Sequence, residues 1–123
     1  IDLLRVDLFT GEGDIYKYGA APSYVKKGTA VSRVTGCALP AGLAGGEGGA
    51  PDVTHLKLEA GDCVLLISDG VTGGQPDQWV RDKLSAFDGQ SPRELAQELI
   101  DESEQQAGAA DDRTALVLRL SKR

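Results

Sequence analysis

The segment Cys63-Val64-Leu65-Leu66-Ile67 constrains this fold more than any other. Five successive apolar residues leave no wet face, so a strand built from them needs cover on both sides. Glu59-Ala60-Gly61 before the run and Ser68-Asp69-Gly70 after it are turn formers, which makes a short strand the natural reading. The segment therefore predicts a central strand, and the rest of the chain must supply a layer on each face.

The other elements are short. Leu3 to Phe9 and Asp14 to Gly19 alternate around Gly11-Glu12-Gly13, a hairpin signal. Tyr24-Val25 and Ala30-Val31 flank Lys26-Lys27-Gly28-Thr29, a second hairpin with Lys26 and Lys27 read as its solvated tip. The first third thus reads as a meander of antiparallel strands. Gly36 to Pro51 holds too many glycines for a regular element and reads as a long surface loop. It lacks the Lys-Ser/Thr ending and following helix of a phosphate loop, so nucleotide binding is not indicated. Val53 to Leu58 alternates like a half-buried strand.

Two helices follow. Pro76 suits a first turn, and Trp79, Val80 and Leu84 recur at helical spacing until Asp88-Gly89. Ser91-Pro92-Arg93-Glu94 is a capping box, Leu95, Ala96, Leu99 and Ile100 form the apolar stripe, and Gly108 ends the helix. Glu94, Glu98, Asp101 and Glu102 mark the wetter side. Ala115 to Leu120 is the last strand. The fold class is α+β: antiparallel strands with two helices.

Composition narrows the function. With 123 residues the chain fits one domain, and 41% hydrophobic with 26% charged residues is ordinary for a globule. A net charge of -6 argues against a nucleic-acid surface. No stretch approaches the ~18 apolar residues of a membrane span, and no signal peptide is visible. Cys37 and Cys63 have no zinc spacing; Cys63 reads as a buried small hydrophobe, and a reducing cytoplasm is the default setting. The chain has no Met and opens directly in a strand pattern, so it is expected to be a piece of something longer.

Chemistry concentrates at two places. Asp69 follows the C-terminal end of the most apolar strand, and Asp111-Asp112 precede the last strand. If those strands are antiparallel neighbours, Asp69 and Asp111 share one sheet edge and are close enough to share a cation. Gly70, without a Cβ, would leave room there. Oxygen donors without His or Cys suit Mg²⁺ or Mn²⁺, and a metal-held water is a nucleophile for phosphate esters. Asp-Gly and Asp-Asp are also common turn and cap residues, so a purely structural use stays open.

These residues resemble a known family. Ile67-Ser68-Asp69-Gly70-Val71 and Asp111-Asp112-Arg113-Thr114 are similar to the last two motifs of the metal-dependent serine/threonine protein phosphatases of the type 2C class. Val6-Asp7-Leu8-Phe9-Thr10-Gly11-Glu12, Lys17 to Tyr24 (with Gly19-Ala20-Ala21-Pro22-Ser23) and Leu39-Pro40-Ala41-Gly42 resemble the bacterial stage II sporulation protein E phosphatase domain. The motifs run in family order from Val6 to Leu120.

The resemblance implies a four-layer αββα sandwich of which residues 1–123 are the C-terminal portion, its N-terminal part missing. It implies two Mn²⁺ or Mg²⁺ ions that activate water for attack on phosphoserine or phosphothreonine. By that likeness Asp69 and Asp111 are metal ligands, with Gly70 and Asp112 supporting the site. The implied substrate is a phosphorylated anti-sigma-factor antagonist. Departures are equally clear. The family's bridging ligand is an early Asp-Gly, but the pairs here are Asp69-Gly70 and Asp88-Gly89, and neither takes that place. Asp112 stands where Asn is frequent, and Gly73 stands where many relatives carry an acidic residue. The isolated chain is thus expected to hydrolyse phosphoesters weakly or not at all. It is also expected to dimerise or swap through uncovered sheet surfaces. The competing reading is a non-catalytic interaction module on a truncated or degenerate phosphatase fold.

Overall fold

The computed structural model describes residues 1–19, 21–36, 51–88, 91–107 and 112–121. Among the described residues seven strands occur: β1 (Asp2–Val6), β2 (Glu12–Lys17), β3 (Ser23–Lys27), β4 (Ala30–Val34), β5 (Asp52–Lys57), β6 (Cys63–Ile67) and β7 (Ala115–Arg119). Two helices, α1 (Gln78–Ala86) and α2 (Pro92–Ala107), and a 3-10 turn at Asp69–Val71 lie between β6 and β7.

The strands divide into two sheets, ordered β1-β2-β5 and β4-β3-β6-β7, all pairs antiparallel. Both expected hairpins form, but the single meander does not. The first hairpin joins β5 in one sheet and the second joins β6 in the other. Turn chemistry determines which strands form a hairpin; burial of the outer and inner faces determines which sheet each hairpin joins.

β6 is central, between β3 and β7. Its alternate residues serve two cores. Cys63, Leu65 and Ile67 pack with Tyr24, Val80, Leu84, Leu95 and Leu99 under the helices. Val64 packs with Ile15, Val25, Val34 and Leu58 between the sheets. The described layers are therefore sheet, sheet and helices. Each fully buried aliphatic side chain here contributes roughly 1.5–3 kcal/mol. The Ser91 hydroxyl caps α2 as expected, accepting from the Glu94 N–H at 3.1 Å. Burial holds the Cys63 thiol above its usual pKa, in keeping with a packing role.

Lys26 is not a solvated tip. It is buried, and its ammonium donates to the Phe87 carbonyl at the end of α1. The alternation of β3 turns residue 26 to the same face as Tyr24, and the carbonyls at the end of a helix accept a cation well. Lys27 is half-exposed and pairs with the buried Asp62 at 2.9 Å. Asp62 also accepts from the Glu59 N–H at 2.8 Å. Burial alone would raise the Asp62 pKa, but the Glu59 N–H and the Lys27 ammonium outweigh it and hold the carboxyl below its ordinary 3.8. A depressed carboxyl stabilises the fold above its unfolded pKa, and that share is lost as pH falls through the folded one. Asp62→Asn is therefore expected to flatten the acid limb of stability. Urea midpoints measured from neutral pH down to about pH 3 check this; an unchanged acid slope would sink it.

Gly11 shows why one turn tolerates no side chain. Its φ is 78°, and a Cβ there would lie 2.0 Å from the Leu58 carbonyl oxygen. The outer face of the first sheet stays open. Leu3, Tyr16 and Val53 pair across it in register, with Leu3 and Val53 exposed. Beside them runs Arg5–Asp14–His55, an exposed ionic row.

Candidate functional site

The site begins where β6 ends. β6 and β7 are antiparallel neighbours with Ile67 opposite Ala115, so the Asp69 turn and the segment before β7 meet at one sheet edge. Two hydrogen bonds close the join. The Ser68 N–H donates to the Thr114 carbonyl at 3.0 Å, and the Thr114 N–H donates to the Ser68 hydroxyl at 2.9 Å.

Asp69 opens the 3-10 turn with its side chain exposed. Its backbone carbonyl holds the turn, accepting from the Gly73 N–H at 3.0 Å. Gly70 is buried within that turn, and the left-handed residues of the loop are Gly73 and Gly74. Asp112 is exposed on the adjoining segment. Asp111 lies outside the described residues. The structure thus brings the Asp69-Gly70 turn beside the Asp112-Arg113-Thr114 segment.

A further residue ties the two together. Ser103 on α2 is fully buried, and its hydroxyl donates to the Val71 carbonyl and accepts from Arg113 Nε at 2.7 Å. One side chain therefore bridges the helix, the Asp69 turn and the last motif. Sequence reasoning passed over it. The available signal was position: Ser103 continues the stripe of Leu95 and Leu99 at helical spacing, and a polar residue on an apolar stripe needs a partner.

A cavity of about 460 Å³ opens beside Asp69, lined also by Pro22, Tyr24, Arg33, Thr72 and Asp77. Asp77 organises its far wall. It accepts from the Tyr24 hydroxyl at 2.7 Å and pairs with Arg33 Nε at 3.3 Å and Arg81 Nε at 3.5 Å. Burial and the Asp77 carboxylate push the Tyr24 hydroxyl above its usual pKa, so it stays a proton donor. Pro22 is placed by a buried clamp. Lys17, 1% exposed, donates to Asp2 Oδ1 at 2.7 Å, the Ala21 carbonyl at 2.7 Å and the Ser23 hydroxyl at 3.0 Å.

The donors described at this edge are oxygens. Asp69 and Asp112 carry carboxylate oxygen, the ligand type that suits Mg²⁺ and Mn²⁺. The single His, His55, is bound to Asp14 on the outer face of the first sheet. Among the described residues no three His, Cys, Asp or Glu side chains cluster to hold a metal. A larger concavity, about 920 Å³, lies around Arg5, Asp14 and His55. Its walls are an exposed ionic row, whereas the smaller cavity is the one that contains Asp69.

Comparison with known proteins identifies the family and the fold. The sequence is 29% identical over 127 residues to stage II sporulation protein E of Bacillus subtilis, covering 98% of this chain and 15% of that protein. The fold matches the phosphatase domain of the Bacillus subtilis cell fate determinant SpoIIE, in a manganese-presoaked crystal, with a TM-score of 0.79 and 29% identity. That match covers 100% of this chain and 56% of the solved one, so the chain spans about half of the solved domain. The RsbU and RsbW domains of a Mycobacterium tuberculosis protein share the fold at 21% identity and a TM-score of 0.73, covering 94% of this chain and 34% of that one. The two antiparallel sheets with their helices are those of the type 2C phosphatase fold. The sequence model of the family described as stage II sporulation protein E (SpoIIE) matches residues 1–121, and the chain belongs to that family.

Proposed function

We propose that residues 1–123 are the C-terminal portion of a single metal-dependent serine/threonine phosphatase domain. The observation that carries this reading is the junction of the Asp69 turn with the segment before β7, locked by Ser68 and Thr114. In this reading Asp69 and Asp111 hold Mn²⁺ or Mg²⁺, with Gly70 and Asp112 shaping the site. When bound, the metal supplies a water of lowered pKa for phosphoester hydrolysis. The chain's own residues do the rest. The Asp69 turn presents a carboxylate outward from a fixed backbone, Ser103 keeps the two motifs in register, and the cavity beside Asp69 receives the phosphorylated segment.

The substrate we favour is a phosphorylated anti-sigma-factor antagonist in the cytoplasm. Membership of the sporulation family supports it. Among the described residues no helix is long and apolar enough to cross a membrane. The exposed Leu3 and Val53 supply an apolar surface for association with further chain or a second copy.

A second reading has its own support. The family's early bridging Asp-Gly has no counterpart in residues 1–123, where the Asp-Gly pairs are Asp69-Gly70 and Asp88-Gly89, and this suits an interaction module. One assay separates the two. The full-length protein with Mn²⁺ is expected to release inorganic phosphate from a phosphoserine peptide in a metal-dependent way, and the 123-residue chain alone far less. Full-length protein that binds the phosphopeptide without turnover in Mn²⁺ or Mg²⁺ would establish the interaction module instead.

A further inference from the structure

We propose that Arg33 is an anion-recognition residue of the Asp69 site. It takes an anionic group of the phosphorylated polypeptide, either the phosphoryl oxygens or a carboxylate flanking the phosphorylated residue. The proposal rests on the phosphatase reading and adds a specificity residue to it.

Position comes first. Arg33 and Asp69 line the same cavity of about 460 Å³, so a group entering it meets both. Arg33 stands on β4, an edge strand of its sheet, and its side chain is 48% exposed. It is therefore reachable from solvent at the mouth of the cavity.

Orientation comes second. Arg33 Nε faces Asp77 Oδ2 at 3.3 Å, and that same oxygen is fixed by the Tyr24 hydroxyl at 2.7 Å. Tyr24 itself is 0% exposed and belongs to the core beneath the helices. The guanidinium is thus tethered through Asp77 to a rigid support. A planar fork with five donors, oriented in advance, matches carboxylate or phosphate by two parallel hydrogen bonds. Pre-orientation lowers the ordering cost of binding.

Charge comes third. Asp77 is balanced by two guanidinium groups, those of Arg33 and Arg81, and Arg33 is the cation that lines the cavity beside Asp69 and Asp77. The chain as a whole carries -6 and repels anions. A local cationic contact offsets that repulsion for a phosphopeptide, and Arg33 provides one. Asp77 acts as the positioning residue for Arg33.

The test uses the full-length protein with Mn²⁺ and three substrates: p-nitrophenyl phosphate, a phosphoserine peptide with neutral flanks and the same peptide with acidic flanks. Arg33→Gln is compared with wild type and with Arg33→Lys, and peptide affinity is measured separately by calorimetry. Thermal unfolding establishes that each variant is folded. A rise in KM of about tenfold for the acid-flanked peptide alone supports the proposal and assigns the anion to a flanking carboxylate. A similar rise for all three substrates supports it and assigns the anion to the phosphoryl group. Arg33→Lys keeps the charge but not the fork and should recover part of the loss. Unchanged KM in an active enzyme overturns the proposal while the phosphatase reading stands. If the wild type turns over none of the substrates, the phosphatase reading fails. Peptide affinity then decides the role of Arg33: a tenfold loss supports it and an unchanged affinity overturns it.

Discussion

Asp69→Asn in the full-length protein should abolish Mn²⁺-dependent release of phosphate from a phosphoserine peptide. Loss of a metal ligand removes several kcal/mol of transition-state stabilisation, which corresponds to a fall of about a thousandfold or more in turnover. The fold should survive the change. Asp69 holds its turn through its backbone carbonyl, and its side chain is exposed. Asparagine keeps the size of the side chain and removes the charge. The variant should therefore melt within a degree or two of wild type while binding Mn²⁺ more weakly by calorimetry. Turnover equal to wild type would remove Asp69 from the metal site and return it to the role of a turn residue.

The largest effect on stability is expected at Lys17. Its ammonium is buried and engages Asp2, Ala21 and Ser23, and the Asp2 side chain is only 9% exposed. Lys17→Met leaves that carboxylate buried without its cation, a change that costs about 3–5 kcal/mol. Whole domains are stable by only about 5–15 kcal/mol, so the loss is severe. Urea unfolding followed by the fluorescence of Trp79, the one tryptophan, measures it. The double change Asp2→Asn with Lys17→Met should recover part of the loss, because it removes the orphaned charge along with its partner. A single-variant loss below about 1 kcal/mol, the range of an exposed pair, would mean that water reaches Asp2. The pair also bears on the site: Lys17 holds the Ala21 carbonyl, and the next residue, Pro22, lines the cavity beside Asp69.

Much of this was legible in the sequence. The apolar run at Cys63–Ile67 required two covering layers, and β6 has both. Both hairpins, both helices and the Ser91 cap followed from turn and capping chemistry. The neighbourhood of the Asp69 turn and the last motif followed from antiparallel pairing of β6 with β7. What stayed hidden depends on contacts between distant residues. The partition of the hairpins into two sheets is decided by which faces bury each other. Lys26 reads as polar in any pattern, and only the arrival of the Phe87 carbonyl 61 positions away makes its burial tolerable. Ser103, Asp77 and Arg33 matter through partners on other elements, which local spacing does not encode.

Ser103 has a mechanical consequence. Its hydroxyl joins α2 to Val71, 32 positions back, and to Arg113, 10 positions on. A small rotation or slide of the last turns of α2 therefore reaches the Asp69 turn and the Arg113 segment together. Neither half of the site is displaced alone. The outer surface of α2, exposed and acidic at Glu98 and Asp101, is thus a handle joined through Ser103 to the Asp69 turn.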